Sequence, residues 1–152
     1  MTLDDQIIGT RVPEHTAEVE RGRLRFFAKA TGQRDPVYSD VEQARAAGHP
    51  DLPVPPTFLF CLNMETPEPF ALYTTLGIDP RTILHGEQAF DYHAMAYAGD
   101  VLSFATHVSD VYSKKGGALQ FLVRTTEVTR DGEPIATLRS TAVIREPAAV
   151  AS

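Results

Sequence analysis

The chain has 152 residues, with 14 Lys and Arg against 20 Asp and Glu, so its formal net charge at pH 7 is −6. A hydrophobic fraction of 43% and a charged fraction of 22% are typical of a globular protein and exclude wholesale disorder. The acidic balance, with an isoelectric point near 5.3, argues against a general nucleic-acid or anionic-membrane surface.

Cysteine content and hydropathy further restrict the class of protein to which the chain can belong. Cys61 is the single cysteine, which excludes an internal disulfide framework and a cysteine-based zinc site and fits a reducing compartment. No apolar run reaches the roughly 18 residues that a membrane-spanning helix needs, and the N-terminus is acidic where a secretory leader would be basic. We therefore expect one cytoplasmic domain over residues 1–152, with a flexible tail at 146–152.

The first half of the chain carries helical patterns. A short strand at 14–20 precedes an amphipathic helix over 21–31, and a second short helix begins at 39 and ends at Gly48. A proline-rich, extended connector follows. The apolar stretches 57–64 and 70–76 are then predicted to form one interrupted, buried helical segment.

The second half is predicted to form four long antiparallel strands, because Val, Thr, Phe, Tyr, Leu and Ile dominate it. Asp131 and Gly132 form a pair that is typical of a tight hairpin, since such residues accept the positive φ of a primed turn. Helices followed by an antiparallel meander indicate an α+β fold, with the helical segment packed on one face of the sheet. The strands are expected at 83–93, 100–112, 118–130 and 134–145.

Three short motifs stand in order along this layout: TGQRDPVYSD at 31–40, LHGEQ at 84–88 and AGD at 98–100. Together they resemble the MaoC-like (R)-specific enoyl-CoA hydratases and 3-hydroxyacyl dehydratases, and in particular their N-terminal, non-catalytic half-domain. The resemblance covers residues 9–145. It implies a hot-dog fold, in which a long curved antiparallel sheet wraps around a central helical segment.

The resemblance also indicates where acid–base residues should stand. The catalytic form of the family reads Gly-Asp-x-Asn-Pro-[Ile/Leu]-His in this segment, and its Asp and His together hold the water. Here the Asp position is Gln33, the Asn position is Asp35 and the His position is Tyr38, while the family's His-Gly pair falls near Pro53-Val54. Glutamine cannot exchange a proton near neutral pH and a tyrosine hydroxyl is a poor base, so the dyad is absent. Asp35 is either a displaced catalytic carboxylate or, as we favour, the residue that caps a turn.

His85 and Glu87 are the best catalytic candidates if the chain works alone. Two residues apart on a strand, their side chains are predicted to point to the same face and to share a pocket. The alternative is that both are satisfied structural polar groups at a strand end. The other histidines lack companions at metal-ligand spacing, so we expect no metal and no cofactor.

The apolar segment that precedes the strands is interrupted by prolines, which could leave a cavity where an unbroken helix would fill it. The resemblance implies a tunnel for an acyl chain there, whereas core packing is the ordinary role of any single apolar residue. The candidate substrate-binding residues are Phe58, Leu59, Leu62, Phe70 and Tyr73, with Tyr92 and His93 as further candidates.

A lone half-domain with long strands would expose a sheet edge, so we expect a homodimer or a heterodimer with a dyad-bearing MaoC-like subunit. The expected ligand is an acyl-CoA or acyl carrier protein thioester of fatty acid metabolism. Three functions stay open. The chain could be the acyl-chain-binding, non-catalytic half of a heteromeric hydratase or dehydratase. It could be a homodimeric hydratase or thioesterase that uses His85 with Glu87, or Asp35. It could be an acyl-CoA-binding module without chemistry.

Overall fold

The computed structural model describes residues 2–145, so the predicted tail at 146–152 lies outside the described residues. Four short helices precede most of a five-stranded antiparallel sheet with the strand order β1-β3-β4-β5-β2. The elements in chain order are β1 (His15–Glu18), α1 (Arg21–Ala30), α2 (Val41–Ala46), α3 (Phe58–Asn63), α4 (Ala71–Thr75), β2 (Ile83–Tyr92), β3 (Val101–Lys114), β4 (Leu119–Arg130) and β5 (Glu133–Arg145).

These elements confirm the predicted α+β class and its helix-then-strand order. The interrupted helical segment is present as α3 and α4, which are separated by residues 64–70. The hairpin between β4 and β5 turns at Asp131 and Gly132, whose φ angles of 49° and 81° are those of a primed turn. Local turn chemistry therefore accounts for the geometry of this turn.

The helices pack on one face of the sheet, which we call the inner face, through two separate apolar clusters. In the first cluster, Leu59 of α3 and Leu24 of α1 lie against the strands, with Leu138 among their neighbours. In the second, Leu72 of α4 packs with Val108 among the strand residues. All of these side chains are buried, so the hydrophobic effect holds the helical segment on the sheet at both ends.

The two edges of the sheet differ. Beyond the short β1, the edge of β3 is covered by the N-terminal segment: the amide of Gly9 donates to the carbonyl of Val108 (2.8 Å), and that of Val12 donates to Thr106 (2.9 Å). At the opposite edge, β2 pairs with β5 alone among the strands of residues 2–145. Ten residues of β2 therefore present an unpaired edge, which is a template for association with another chain.

Candidate functional site

Strand β2 contains a bulge that separates the two strongest catalytic candidates. His85 lies opposite Ala142, whereas Glu87 lies opposite Thr141, so Gly86 is an extra residue in the strand. Consecutive residues of β5 face opposite sides of the sheet, and cross-strand partners share a side. His85 therefore faces the helices and Glu87 faces the other side. The prediction that the two side chains share a pocket is wrong, because the bulge shifts the alternation by one residue.

A glycine is needed at this bulge for lack of space. A β-carbon built on Gly86 would lie 2.7 Å from Cγ2 of Val143 and 3.2 Å from the carbonyl oxygen of Thr141. The first distance is well inside van der Waals contact, so a side chain here would force the Val143 side chain or the strand backbone to shift. The His-Gly-Glu motif thus has an architectural role at Gly86, whatever its neighbours do.

The segment where the dyad would stand is closed on itself. The amide of Asp35 donates to Oε1 of Gln33 (3.1 Å), and the amide of Val37 donates to Oδ1 of Asp35 (3.1 Å). Asp35 thereby caps the single 3-10 turn Pro36–Tyr38, which is the turn-forming role favoured from the sequence. Gln33 and Asp35 are both exposed, and neither lines a cavity with His85.

Tyr38 faces an apolar cavity of about 270 Å³, which we call the tyrosine cavity. Val54, near the position of the family's His-Gly pair, lines it as well. The pKa of Tyr92, which lines this cavity, is raised to about 12, chiefly because partial burial disfavours the phenolate and secondarily because Tyr38 lies close. Tyr92 is therefore a hydrogen-bond donor and not a base at neutral pH. The full lining is Tyr38, Val54, Pro56, Leu59, Tyr92, Ala94, Met95, Ala96 and Ile135.

His93 lies outside this cavity. Its Nε2 is 3.0 Å from Oγ1 of Thr137, whose hydroxyl donates to Oε2 of Glu127 (2.9 Å). The imidazole is thus engaged in a hydrogen-bonded chain at the surface. This arrangement does not bring His93 together with the other candidate substrate-binding residues.

A second cavity, of about 290 Å³, lies between the sheet and the gap that separates α3 from α4; we call it the helix-break cavity. Its lining includes Phe70, Tyr73 and His85. The first two are candidate substrate-binding residues from the segment that the prolines interrupt. Phe58 and Leu62, by contrast, are core residues with exposed fractions of 3% and 0%. The complete lining is Phe60, Met64, Pro69, Phe70, Tyr73, Pro80, Ile83, Leu84, His85, Arg124, Ser140 and Ala142.

The candidate tunnel residues therefore do not surround one channel. Leu59 lines the tyrosine cavity, and Phe70 and Tyr73 line the helix-break cavity. Phe90, which packs against the first apolar cluster, stands between the two cavities along β2. A ligand that occupies the helix-break cavity would thus touch two of the seven candidate substrate-binding residues, Phe70 and Tyr73.

The floor of the helix-break cavity carries a cation that the sequence analysis missed. Arg124 of β4 points into it, and its Nη2 donates to Oγ of Ser140 (3.3 Å). The guanidinium lies 5.2 Å from the centre of the Tyr73 ring. Burial raises the pKa of Tyr73, and the nearby positive charge of Arg124 partly opposes that rise, so the phenol is neutral. The sequence held a signal, since alternation in β4 places Arg124 on the same face as buried Leu122 and Val128.

The AGD motif has a structural explanation. One carboxylate oxygen of Asp100 accepts hydrogen bonds from the amide of Tyr97 (2.9 Å) and from Nη1 of Arg130 (2.6 Å). The aspartate thus ties the loop before β3 to the end of β4. We assign it to the architecture of the fold.

Within residues 2–145, no three His, Cys, Asp or Glu side chains are grouped so that they could hold a metal ion. No helix in the same stretch is long and apolar enough to cross a membrane.

The architecture and the motifs together define a hot-dog domain of the MaoC-like dehydratase class. Residues 6–138 match the family described as "FAS1-like, dehydratase domain region", and the chain belongs to that family. A relative from Saccharopolyspora erythraea, described as a UPF0336 protein, is 40% identical over 147 residues, which is 95% of this chain and 93% of the relative.

Solved structures show the same fold. A chain of the C-terminally truncated HadBC (3R-hydroxyacyl-ACP dehydratase) complex from Mycobacterium tuberculosis matches with a TM-score of 0.77 and 24% identity, over 92% of this chain and 99% of that one. A chain of the ChsH1-ChsH2 complex from the same organism matches with a TM-score of 0.73 and 21% identity, over 91% and 90%. A protein described as a MaoC-like dehydratase gives a TM-score of 0.81 and 22% identity, over 91% of this chain and 42% of that protein.

Proposed function

We propose that this chain is the acyl-chain-binding, non-catalytic subunit of a heteromeric (R)-specific enoyl-thioester hydratase or 3-hydroxyacyl-thioester dehydratase. The proposal rests on the residues that occupy the two dyad positions and on their surroundings. Gln33 is exposed and bonded to its own loop, and Tyr38 faces an apolar cavity. Hydration of a conjugated thioester needs a group that activates water and a donor for the α-carbon, and neither position supplies one. A dyad-bearing partner would supply both.

The unpaired edge of β2 is where we place that partner. Leu84 and Tyr92, near the two ends of the strand, are large apolar side chains and are both 47% exposed. Edge-to-edge pairing with a second hot-dog subunit would cover them and satisfy the free backbone groups. The HadBC and ChsH1-ChsH2 proteins, which share the fold, are both described as complexes, and this favours a heteromeric assembly.

We assign the acyl chain to the helix-break cavity. Leu84 and His85, both exposed residues of β2, form part of its lining, so the cavity lies beside the edge at which a partner would bind. A chain that leaves the partner's active site could enter there without crossing the core. Each methylene group that is buried would add about 0.8 kcal/mol at most, which gives affinity a dependence on chain length.

Reconstitution tests this function. The chain should be mixed with a dyad-bearing MaoC-like subunit from the same genome, and hydration of enoyl-CoAs of increasing length should be measured for each subunit alone and for the mixture. We expect the mixture to accept longer chains than the dyad-bearing subunit alone, and this chain alone to be inactive. A mixture whose rate and chain-length profile equal those of the partner alone would contradict the proposal.

Two methionines provide a matched pair of variants for the site. Met64 lines the helix-break cavity and is 37% exposed, whereas Met95 lines the tyrosine cavity and is 47% exposed. Met64→Trp should shorten the longest acyl chain that the complex accepts, because the larger side chain fills the helix-break cavity. Met95→Trp should leave it unchanged. The reverse result would move the acyl site to the tyrosine cavity.

A further inference from the structure

The inner face of the sheet is polar at the point where the helix-break cavity meets it. Gln88 of β2, Ser140 of β5 and Arg124 of β4 lie side by side, because Gln88 is paired with Ser140 and Ser140 with Arg124. We call these three residues the polar strip. Val108, Leu72 and their neighbours form the second apolar cluster on one side of it, and the first cluster packs on the other. Besides the buried polar residues Gln120 and Thr126, this face thus carries an arginine between its two apolar clusters.

The guanidinium of Arg124 is incompletely satisfied. Its Nη2 bonds to Ser140, which is 8% exposed, and its plane lies near the Tyr73 ring, but Nε is buried with no hydrogen-bond partner among residues 2–145. Within that described stretch, no carboxylate oxygen comes within 4.0 Å of its nitrogens, although Glu68 lines a small adjoining cavity with it. Oε1 of Gln88 is buried and unpaired in the same way.

Such a floor is unsuited to a plain hydrocarbon chain. Burying a cation or an amide against methylene groups, with no new hydrogen bond, has a large free-energy cost because the polar groups lose any residual contact with water. An oxygen substituent on the chain would remove that cost for Arg124. A carboxylate suits it best, since it neutralises the charge and accepts charge-assisted hydrogen bonds from the guanidinium.

We propose that the helix-break cavity takes acyl thioesters whose chain carries an oxygen substituent, a carboxylate above all, that accepts hydrogen bonds from Arg124. The inference rests on the proposed acyl-binding function and names its substrate class. Ser140 positions the guanidinium. The imidazole of His85 also faces the helix-break cavity, and the amide of Gln88 and the carboxylate of Glu68 are among the polar groups that line the small adjoining one. The thioester end would point to the β2 edge and the substituent to the polar strip.

Calorimetric titration of the full chain with two matched series tests this inference. Adipyl-, suberyl- and sebacyl-CoA carry a distal carboxylate, and hexanoyl-, octanoyl- and decanoyl-CoA are their unsubstituted counterparts. We expect the carboxylated member of at least one pair to bind about 10- to 100-fold more tightly, the range that a hydrogen bond to a charged group supports. The corresponding ω-hydroxyacyl-CoA should fall between the two, since it accepts a hydrogen bond but brings no charge.

The variants Arg124→Met and Arg139→Met separate the specific effect from a change in net charge. Arg139 lies next to Ser140 in β5 but is exposed on the other face of the sheet. Arg124→Met should abolish the preference for the carboxylated series while retaining the binding of octanoyl-CoA, and Arg139→Met should change neither. Thermal unfolding without ligand checks the fold: Arg124→Met should melt at the wild-type temperature or above it, because the unpaired cation is gone.

The possible failures are distinguishable. If neither series binds to the wild-type chain, the acyl-binding function itself is wrong and the inference falls with it. If the unsubstituted series binds and the carboxylated series does not bind more tightly, the acyl-binding function stands and the inference about its substrate class is wrong. A carboxylate preference that survives in a folded Arg124→Met variant would also overturn the role of Arg124.

Discussion

Cγ2 of Val143 lies 2.7 Å from the point where a β-carbon on Gly86 would stand. This close approach of β5 to β2 occurs at the bulge that turns Glu87 to the opposite face from His85. The pairing of the edge strand and the orientation of its polar side chains therefore depend on one residue without a side chain.

Gly86→Ala should destabilise the protein by about 1 to 3 kcal/mol, the usual cost of overpacking a closed site. Chemical denaturation measures this change as a lower transition midpoint. Gly22→Ala is the control, because Gly22 lies in α1 and a β-carbon there meets nothing within 4 Å. We expect that control to be neutral or to stabilise by up to about 1 kcal/mol, since alanine favours a helix. A Gly86→Ala variant as stable as the wild type would show that Val143 and the adjoining backbone can move aside at no cost.

Because the β2 edge is unpaired within the described residues, we predict that the purified chain is not a monomer of 16.7 kDa. Leu84→Lys should shift the assembly toward the monomer, because it places a charge on the edge that we propose as the interface. Phe26→Lys is a matched apolar-to-lysine change on α1, where the side chain is 75% exposed, and should leave the assembly unchanged. Size-exclusion chromatography with light scattering measures both. A stable wild-type monomer would contradict the assembly.

In isolation the chain should hydrate crotonyl-CoA about two to four orders of magnitude more slowly than a dyad-bearing relative, the usual cost of losing a general acid or base. Gln33→Ala and Tyr38→Phe should cause no further loss. The opposite result, robust turnover that His85→Ala or Glu87→Gln abolishes, would favour a homodimeric enzyme in place of a non-catalytic subunit. Because the bulge turns His85 and Glu87 to opposite faces of the sheet, the two side chains are poorly placed to act together within one subunit.

The raised pKa of Tyr92 predicts that the protein loses stability at alkaline pH. Its pKa of about 12 in the folded chain exceeds the ordinary tyrosine value of 10.0, so folding favours the protonated phenol. The resulting stability is fully present below about pH 10 and is lost as the pH rises toward about 12, because the unfolded chain ionises first. Ultraviolet titration should show one late-ionising phenol that disappears in Tyr92→Phe.

Tyr38→Phe separates the two causes of that shift. Burial is the larger cause and the neighbouring Tyr38 the smaller, so this variant should lower the pKa of Tyr92 only partly. A Tyr92 that titrates in the ordinary tyrosine range in the wild-type chain would contradict the partial burial of its phenol beside Tyr38.

The sequence by itself determined the features that local physical chemistry controls. The abundance of β-forming residues and the Asp131-Gly132 turn placed the strands within a few residues, and the prolines predicted the break between α3 and α4. The glutamine and tyrosine at the dyad positions could likewise be read directly, because the motif that surrounds them is contiguous. Asp35 caps its own turn for the same local reason.

Only the tertiary structure decided which side chains share a site. A bulge depends on how closely β5 approaches β2, so the alternation that placed His85 and Glu87 on one face failed at Gly86. The polar strip joins Gln88, Ser140 and Arg124 from three strands because β5 lies between β2 and β4, an order set by long-range pairing. The pattern of β4 shows that Arg124 lies on the inner face. That its Nε has no hydrogen-bond partner among residues 2–145 could be seen only once the sheet and the helices were packed together.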